Sequence, residues 1–190
     1  MSGPAVRPAR WHPASIALHW LTLLLVLFQF GIAGPMRDES RDLIARFELY
    51  QRHKSVGLTI ALFVILRLLL RSAVPQPAPF EKNSWRRRAA AGVHAGLYLC
   101  LLALPVTGLL MAAAAPIQIP TLYFGLFTVP HPIGPDPAAY RRMLWLHDQF
   151  GSVLIALGVV HVAAVAVHML IWRDGLLGRM WFGRRRPWTP

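Results

Sequence analysis

The chain has 190 residues, a length that suits one compact domain; 55% of them are hydrophobic and the mean hydropathy is +0.44. The net charge of +12 does not indicate nucleic-acid binding, because the basic residues stand in short runs between long apolar segments, the pattern of charges that flank membrane helices. Cys100 is the only cysteine, so the sequence has neither a disulfide framework nor a CxxCH motif for covalent haem attachment.

Four apolar segments predict four transmembrane helices. They cover about residues 14–33, 50–71, 89–113 and 144–172, and each can cross a hydrocarbon core of ~30 Å. A proline-rich basic linker separates the second from the third, and a loop with six prolines separates the third from the fourth. We expect an all-α integral membrane four-helix bundle.

The first apolar segment has a second interpretation. Arg7 and Arg10 precede it and small residues end it, as in a signal peptide. Pro13, at the expected first helical turn, and His19, at the start of the apolar run, favour a retained helix. We therefore assign residues 1–175 to the transmembrane domain and residues 176–190 to a basic cytoplasmic tail.

Charge distribution predicts the orientation. Four spans put both termini on one side of the membrane, and the segments on that side carry 13 of the 20 basic residues. Basic residues concentrate in cytoplasmic loops. Both termini are therefore predicted to be cytoplasmic.

Histidines within the spans are the main functional signal, since an intramembrane histidine is costly unless it is paired or ligated. His147 and His161 are 14 residues apart, which is ~21 Å along one helix and within ~40° of one face. In the predicted orientation His53 lies at the outer depth with His147, and His19 at the inner depth with His161. Two such pairs predict two non-covalent b-type haems, because histidine is a usual axial ligand and bundle cores hold such sites.

Two glycines support the haem interpretation. Gly57 follows His53 by four residues and Gly151 follows His147 by four, so each shares a helix face with its histidine and could leave room for a macrocycle. Close helix packing, for which glycine is also common in membranes, is the alternative.

Cations and further histidines extend the predicted sites. Arg67, 14 residues after His53, could bind the propionates of the inner haem, or could extend to the cytoplasmic interface. His168, two turns beyond His161, is a candidate hydrogen-bond or proton partner for a quinone, with a solvated interfacial histidine as the alternative. His94 could contact propionates or replace one of the assigned ligands. The basic residues expected around the outer pair are Arg52, Lys54, Arg141 and Arg142.

The motifs together resemble the bacterial cytochrome b561 family. They are IALHW in the first span, HKSVG and LRLLLR in the second, His94 to Gly108 with ALP-x-TG in the third, and H-x13-H-x6-H in the fourth. The resemblance covers about residues 12–175. It implies a protein of the bacterial inner membrane with two haems b held at His19, His53, His147 and His161, and it places His168 at a quinone pocket. Stand-alone members are similar to an enzyme that oxidises superoxide and reduces ubiquinone.

These signals predict a diheme membrane cytochrome that passes electrons from a periplasmic donor, superoxide by resemblance, to ubiquinone in the membrane. The alternative is a membrane anchor and electron-relay subunit of a periplasmic hydrogenase or dehydrogenase. A transporter with histidine proton relays would bind no haem. The sequence does not predict the oligomeric state.

Overall fold

The computed structural model describes residues 8–80 and 83–182, in which four helices are long and apolar enough to cross a membrane. Helix α1 spans Pro13–Arg37, α2 Leu43–Ala73, α3 Ser84–Ala114 and α4 Pro137–Val167, and α4 continues into a π-helical turn at His168–Trp172. Strands β1 (Thr121–Tyr123) and β2 (Phe127–Val129) form a hairpin between α3 and α4, and a 3-10 turn covers Leu177–Met180. The all-α membrane bundle is confirmed.

The second and fourth helices begin earlier than their apolar segments. Helix α2 starts at Leu43 rather than near residue 50, and α4 at Pro137 rather than near residue 144. Aspartates explain both starts. Asp42 accepts hydrogen bonds from the first free backbone N–H groups of α2, and Asp136 does so for α4, where the two bonds lower the pKa of its carboxyl. The polar first turns therefore extend each helix beyond its apolar part.

Helix α2 lies in the middle of the packing. Its residues Val56, Ile60 and Val64 are buried and recur every four positions, so they form one stripe against α1 and α3. Helix α1 packs mainly on α2, and α4 packs mainly on α3. Many leucines, valines and isoleucines remain exposed on the outside of the bundle, which is the surface expected to face lipid.

The β1–β2 hairpin packs on the end of α2 that carries His53, called the outer end below. Phe124 and Gly125 have positive φ angles of 48° and 75°, and the Leu126 N–H donates to the carbonyl of Tyr123, which closes a tight turn. The proline-rich segment between α3 and α4, predicted as a loop, therefore contains a hairpin that its sequence did not indicate.

The opposite end, called the inner end below, is covered by the segment after α4. The indole Nε1 of Trp20 donates to the carbonyl of Met180 at 2.8 Å, and the rings of Trp20 and Trp181 pack edge to face at 5.5 Å. Arg179 donates to the carbonyl of Ala78 at 2.8 Å. The chain after α4 therefore folds back over the base of α1 and the linker that follows α2.

Candidate functional site

Two histidines meet at the outer end of the bundle. His53 on α2 and His147 on α4 have ring centroids 6.1 Å apart. Nδ1 of His147 lies 3.1 Å from Oγ1 of Thr107 on α3, whereas Nδ1 of His53 is buried without a hydrogen-bond partner. Gln29 of α1 donates to the backbone carbonyl of His53 at 2.9 Å. All four helices contribute to this site.

A cavity of about 730 Å³ lies around this pair. Its volume is within the ~300–1,000 Å³ of typical cofactor sites. Gly57, Gly108 and Gly151 are part of its lining. A Cβ atom at Gly151 would meet nothing within 4 Å, while one at Gly57 would lie 3.3 Å from the side-chain nitrogen Nε2 of Gln29. Gly151 therefore opens directly into the cavity, and Gly57 allows Gln29 to reach the carbonyl of His53.

The cations of the outer cavity differ in part from the predicted set. Lys54 lines it, together with Arg37 and Arg46, which the sequence analysis did not single out. The other three predicted cations, Arg52, Arg141 and Arg142, are absent from the lining, and Arg52 instead pairs with Glu48 one turn earlier. Helix geometry explains the difference, because neighbours in sequence point to different faces.

Arg37 also forms an ion pair across the cavity mouth. Its guanidinium lies 2.9 Å from the carboxylate of Asp148, which follows His147. Since both side chains are about half exposed, we expect the pair to position the end of α1 against α4 more than to stabilise the fold.

Three histidines meet at the inner depth. His19 on α1 and His161 on α4 have ring centroids 6.3 Å apart, and His94 on α3 lies 5.2 Å from His161. Nδ1 of His94 is 2.7 Å from the carbonyl of Ala90. Arg67 stacks over the ring of Tyr98 at 5.5 Å rather than extending free of the bundle.

The distances between the histidine rings can be compared with the distance that two imidazoles need to bind one iron atom. An imidazole nitrogen binds a transition metal at ~2.0–2.1 Å, so two rings on opposite sides of one iron have centroids ~6 Å apart. The pairs His53–His147 and His19–His161 meet this spacing at 6.1 and 6.3 Å, whereas the 5.2 Å between His94 and His161 is too short. The residues present therefore fit two bis-histidine haem sites, with His94 beside the inner one.

His168 lies in a separate group of residues near the inner end. Its Nδ1 is 2.5 Å from the Asp174 carboxylate, and its ring packs against Trp172 at 4.5 Å and Phe80 at 5.7 Å. The π-helical turn and the left-handed backbone of Arg173 reverse the chain, which returns Asp174 to the histidine. The side chains of His168 and Asp174 are only 16% and 24% exposed. The His168 side chain is thus largely shielded from solvent.

Comparison with known proteins identifies the family of the chain. The sequence profile described as prokaryotic cytochrome b561 matches residues 10–183. The chain belongs to the prokaryotic cytochrome b561 family. It is 30% identical to cytochrome b561 homolog 2 of Escherichia coli (strain K12), over 91% of this chain and 92% of that protein. It is 24% identical to cytochrome b561 homolog 1 of the same organism, over 90% and 96%.

Membership of the cytochrome b561 family has three consequences. The protein binds haem b, takes part in electron transfer, and is a multi-pass protein of the bacterial inner membrane. The haem must be held without covalent bonds, because the chain has a single cysteine.

Several site residues were missed by the sequence analysis. Thr107 and Asp174 each contact a ring nitrogen of a predicted histidine, and Arg46 lines the outer cavity. The TG of the third span was noted only as part of a motif, although a hydroxyl beside a small residue in an apolar span is a usable signal for a ligand contact. Asp174 lies in a turn whose reversal no local pattern indicates.

Proposed function

We propose that this cytochrome b561 holds two haems b, one between His53 and His147 and one between His19 and His161, and transfers electrons from a periplasmic donor to ubiquinone. The observation that carries the proposal is the ~6 Å spacing of both ring pairs, 6.1 and 6.3 Å. Haem b supplies reversible one-electron chemistry when it is bound. The chain would supply the histidine ligands, the apolar surroundings and the distance between the sites.

The outer site would receive the electrons. Arg37, Arg46 and Lys54 line its cavity, and such cations can hold the propionates of a haem or raise the encounter rate of an anion. Superoxide is the donor that we propose: two superoxide anions lose one electron each and leave as dioxygen. A rate that falls as ionic strength rises would support an anionic donor, and a rate that is independent of salt would contradict it.

The inner site would deliver the electrons to the quinone. A quinone takes up two electrons and two protons to become a quinol, so its site needs a proton donor near an apolar surface. His168, with Asp174 on Nδ1 and aromatic rings on two sides, suits that role because its Nε2 can carry the proton. Arg67, at the inner depth beside Tyr98, is proposed to bind propionate there.

The proposed direction needs both termini in the cytoplasm. The charge distribution supports this orientation. At the end that carries the termini, Trp11 packs under Arg71, and Arg86 lies over both Trp85 and Trp172. These groups belong to one end of the bundle, where an interfacial belt of tryptophan and arginine is expected.

The test is the haem content of single variants in the detergent-purified protein. We expect two low-spin b haems per chain in the wild type, loss of one and the same haem in His53→Ala and His147→Ala, and loss of the other in His19→Ala and His161→Ala. His94→Ala is the matched control and should retain both. Loss of a haem in His94→Ala but not in His19→Ala would contradict the inner pairing.

A second experiment separates electron transfer from the anchor alternative. The purified protein should reduce a soluble ubiquinone analogue when superoxide is generated beside it. Failure to do so, together with co-purification of a periplasmic hydrogenase or dehydrogenase, would favour the relay subunit. Absence of haem from the wild type despite adequate haem supply would contradict both.

A further inference from the structure

The outer histidine His147 is held by two adjacent residues of α3. Thr107 is 6% exposed, and its Oγ1 lies 3.1 Å from Nδ1 of His147. A Cβ atom added to Gly108 would lie 3.2 Å from Cε1 of the same ring. The hydroxyl and the missing side chain together form a socket for the imidazole, called the Thr107–Gly108 socket below.

Hydrogen-bond donors and acceptors decide which tautomer this socket favours. The hydroxyl of Thr107 has one proton, and backbone carbonyls of its own helix accept it: that of Ala103 at 2.8 Å and that of Leu104 at 3.1 Å. Its oxygen then remains as the acceptor for a proton on Nδ1 of His147. A histidine protonated on Nδ1 presents the lone pair of Nε2, which is the atom that binds iron.

The arrangement is not repeated at the other paired histidines. Among the residues that the structure describes, His147 is the one member of the two pairs with a hydrogen bond to a ring nitrogen. A histidine ligand that donates its second N–H to an acceptor becomes a more basic ligand. More basic ligands stabilise the ferric state over the ferrous state, and so lower the potential of the iron that they bind.

We propose that the Thr107 hydroxyl, acting through His147, holds the outer haem at a lower potential than it would otherwise have and so biases electrons towards the inner haem. Thr107 is a positioning residue, since it acts only through the ligand. This inference rests on the proposed ligation of the outer haem by His53 and His147.

The experiment is a spectroscopic redox titration of the purified holoprotein, with the outer haem identified as the one lost in His53→Ala. Thr107→Val removes the hydroxyl at nearly constant volume. We expect the outer haem alone to rise in potential; a tenfold loss of ferric preference corresponds to ~59 mV for a one-electron couple. Thr107→Ser restores the hydroxyl and should restore the potential.

Thr22→Val is the matched control. Thr22 is also buried, at 3% exposure, and its hydroxyl donates to the carbonyl four residues earlier, that of Leu18, at 2.6 Å. Thr22→Val therefore removes a hydroxyl-to-carbonyl bond of the same kind, but no hydrogen bond to an imidazole. The variant should leave the potentials of both haems unchanged. An outer potential in Thr107→Val equal to that of the wild type, or a shift of equal size in Thr22→Val, would overturn the proposal.

A second variant covers the case in which Thr107→Val loses the outer haem. Gly108→Ala retains the hydroxyl but presses on Cε1 of His147, so it should alter the ligand field of the outer haem, measured as shifted g values in electron paramagnetic resonance. Gly92→Ala, on the same helix with nothing within 4 Å of the added Cβ, should not. An unshifted signal in Gly108→Ala would then count against the socket. A wild type that lacks the outer haem would instead contradict the proposed ligation.

Discussion

Replacing Ser55 by alanine tests how the hairpin is held on the outer end of α2. Ser55 is 1% exposed, and its Oγ accepts a hydrogen bond from the Phe124 N–H at 2.9 Å. The same hydroxyl can donate to the carbonyl of Leu122 at 3.0 Å or to that of Gln51 at 2.8 Å. One small side chain thus satisfies two backbone groups of the hairpin.

The size of the effect follows from these bonds. Alanine removes the acceptor of the part-buried Phe124 N–H, and the loss of one such hydrogen bond costs ~0.5–1.5 kcal/mol. Because Gln51 and Thr59 keep their own contacts with the hairpin, the loss should destabilise this element without unfolding the bundle. A cost of that size makes opening of the hairpin ~2- to 12-fold more frequent.

Hydrogen exchange followed by mass spectrometry measures this opening. Amides of residues 121–129 should exchange faster in Ser55→Ala by that factor, while the helix interiors keep wild-type protection. Ser72→Ala is the matched control, because Ser72 lies on the same helix and its hydroxyl bonds only the carbonyl of Leu69 at an exposed position. Equal exchange of the hairpin in both variants would refute the assigned role of Ser55.

Three further predictions concern the cavity, the inner site and the loop. Gly151→Leu should lose the outer haem and still fold, because nothing lies within 4 Å of the added Cβ. Gly34→Leu is the control: its position is equally open but lies outside the cavity, so this variant should retain the haem. A pyridine haemochrome assay measures the number of haems per chain. Asp174→Asn should slow reduction of a ubiquinone analogue ~10-fold or more with both haem spectra unchanged, and an unaltered rate would remove Asp174 from the proton path. Burial lowers the pKa of His131, helped by the Lys54 charge, so the neutral ring is favoured in the fold. The stability it contributes is therefore complete above its unfolded pKa of ~6.5 and is lost as pH falls towards the folded value. The protection factors of the hairpin amides, which correct for the slower intrinsic exchange at low pH, should therefore fall on acidification in the wild type but not in His131→Gln.

The hairpin also changes how the outer cavity is understood. Thr121 of β1 lines the cavity, and its hydroxyl lies 3.1 Å from Nε2 of His131. The segment that the sequence presents as a proline-rich loop thus forms part of the wall of the proposed outer haem site. A donor from the periplasm would approach the outer haem past this segment and past the Arg37–Asp148 ion pair.

Much of the architecture follows from the sequence. Apolar segments of sufficient length predict four spans, because no other regular structure satisfies its own backbone hydrogen bonds within a bilayer as one segment. Helical periodicity then relates residues along one helix, so the depths of His147 and His161 follow from their 14-residue separation. Chain direction assigns His53 and His19 to those same depths.

The tertiary structure determines features that helical periodicity does not predict. How each helix is rotated about its axis, and which helices are neighbours, depends on packing between elements distant in sequence. Only the structure therefore gives the separations of His19 and His94 from His161, which are 6.3 and 5.2 Å, and puts Thr107 against His147 across 40 positions. The return of Asp174 to His168 likewise depends on a π-helical turn and on the left-handed backbone of Arg173. Both conformations are unfavourable in isolation and depend on tertiary contacts, which a local sequence pattern does not specify.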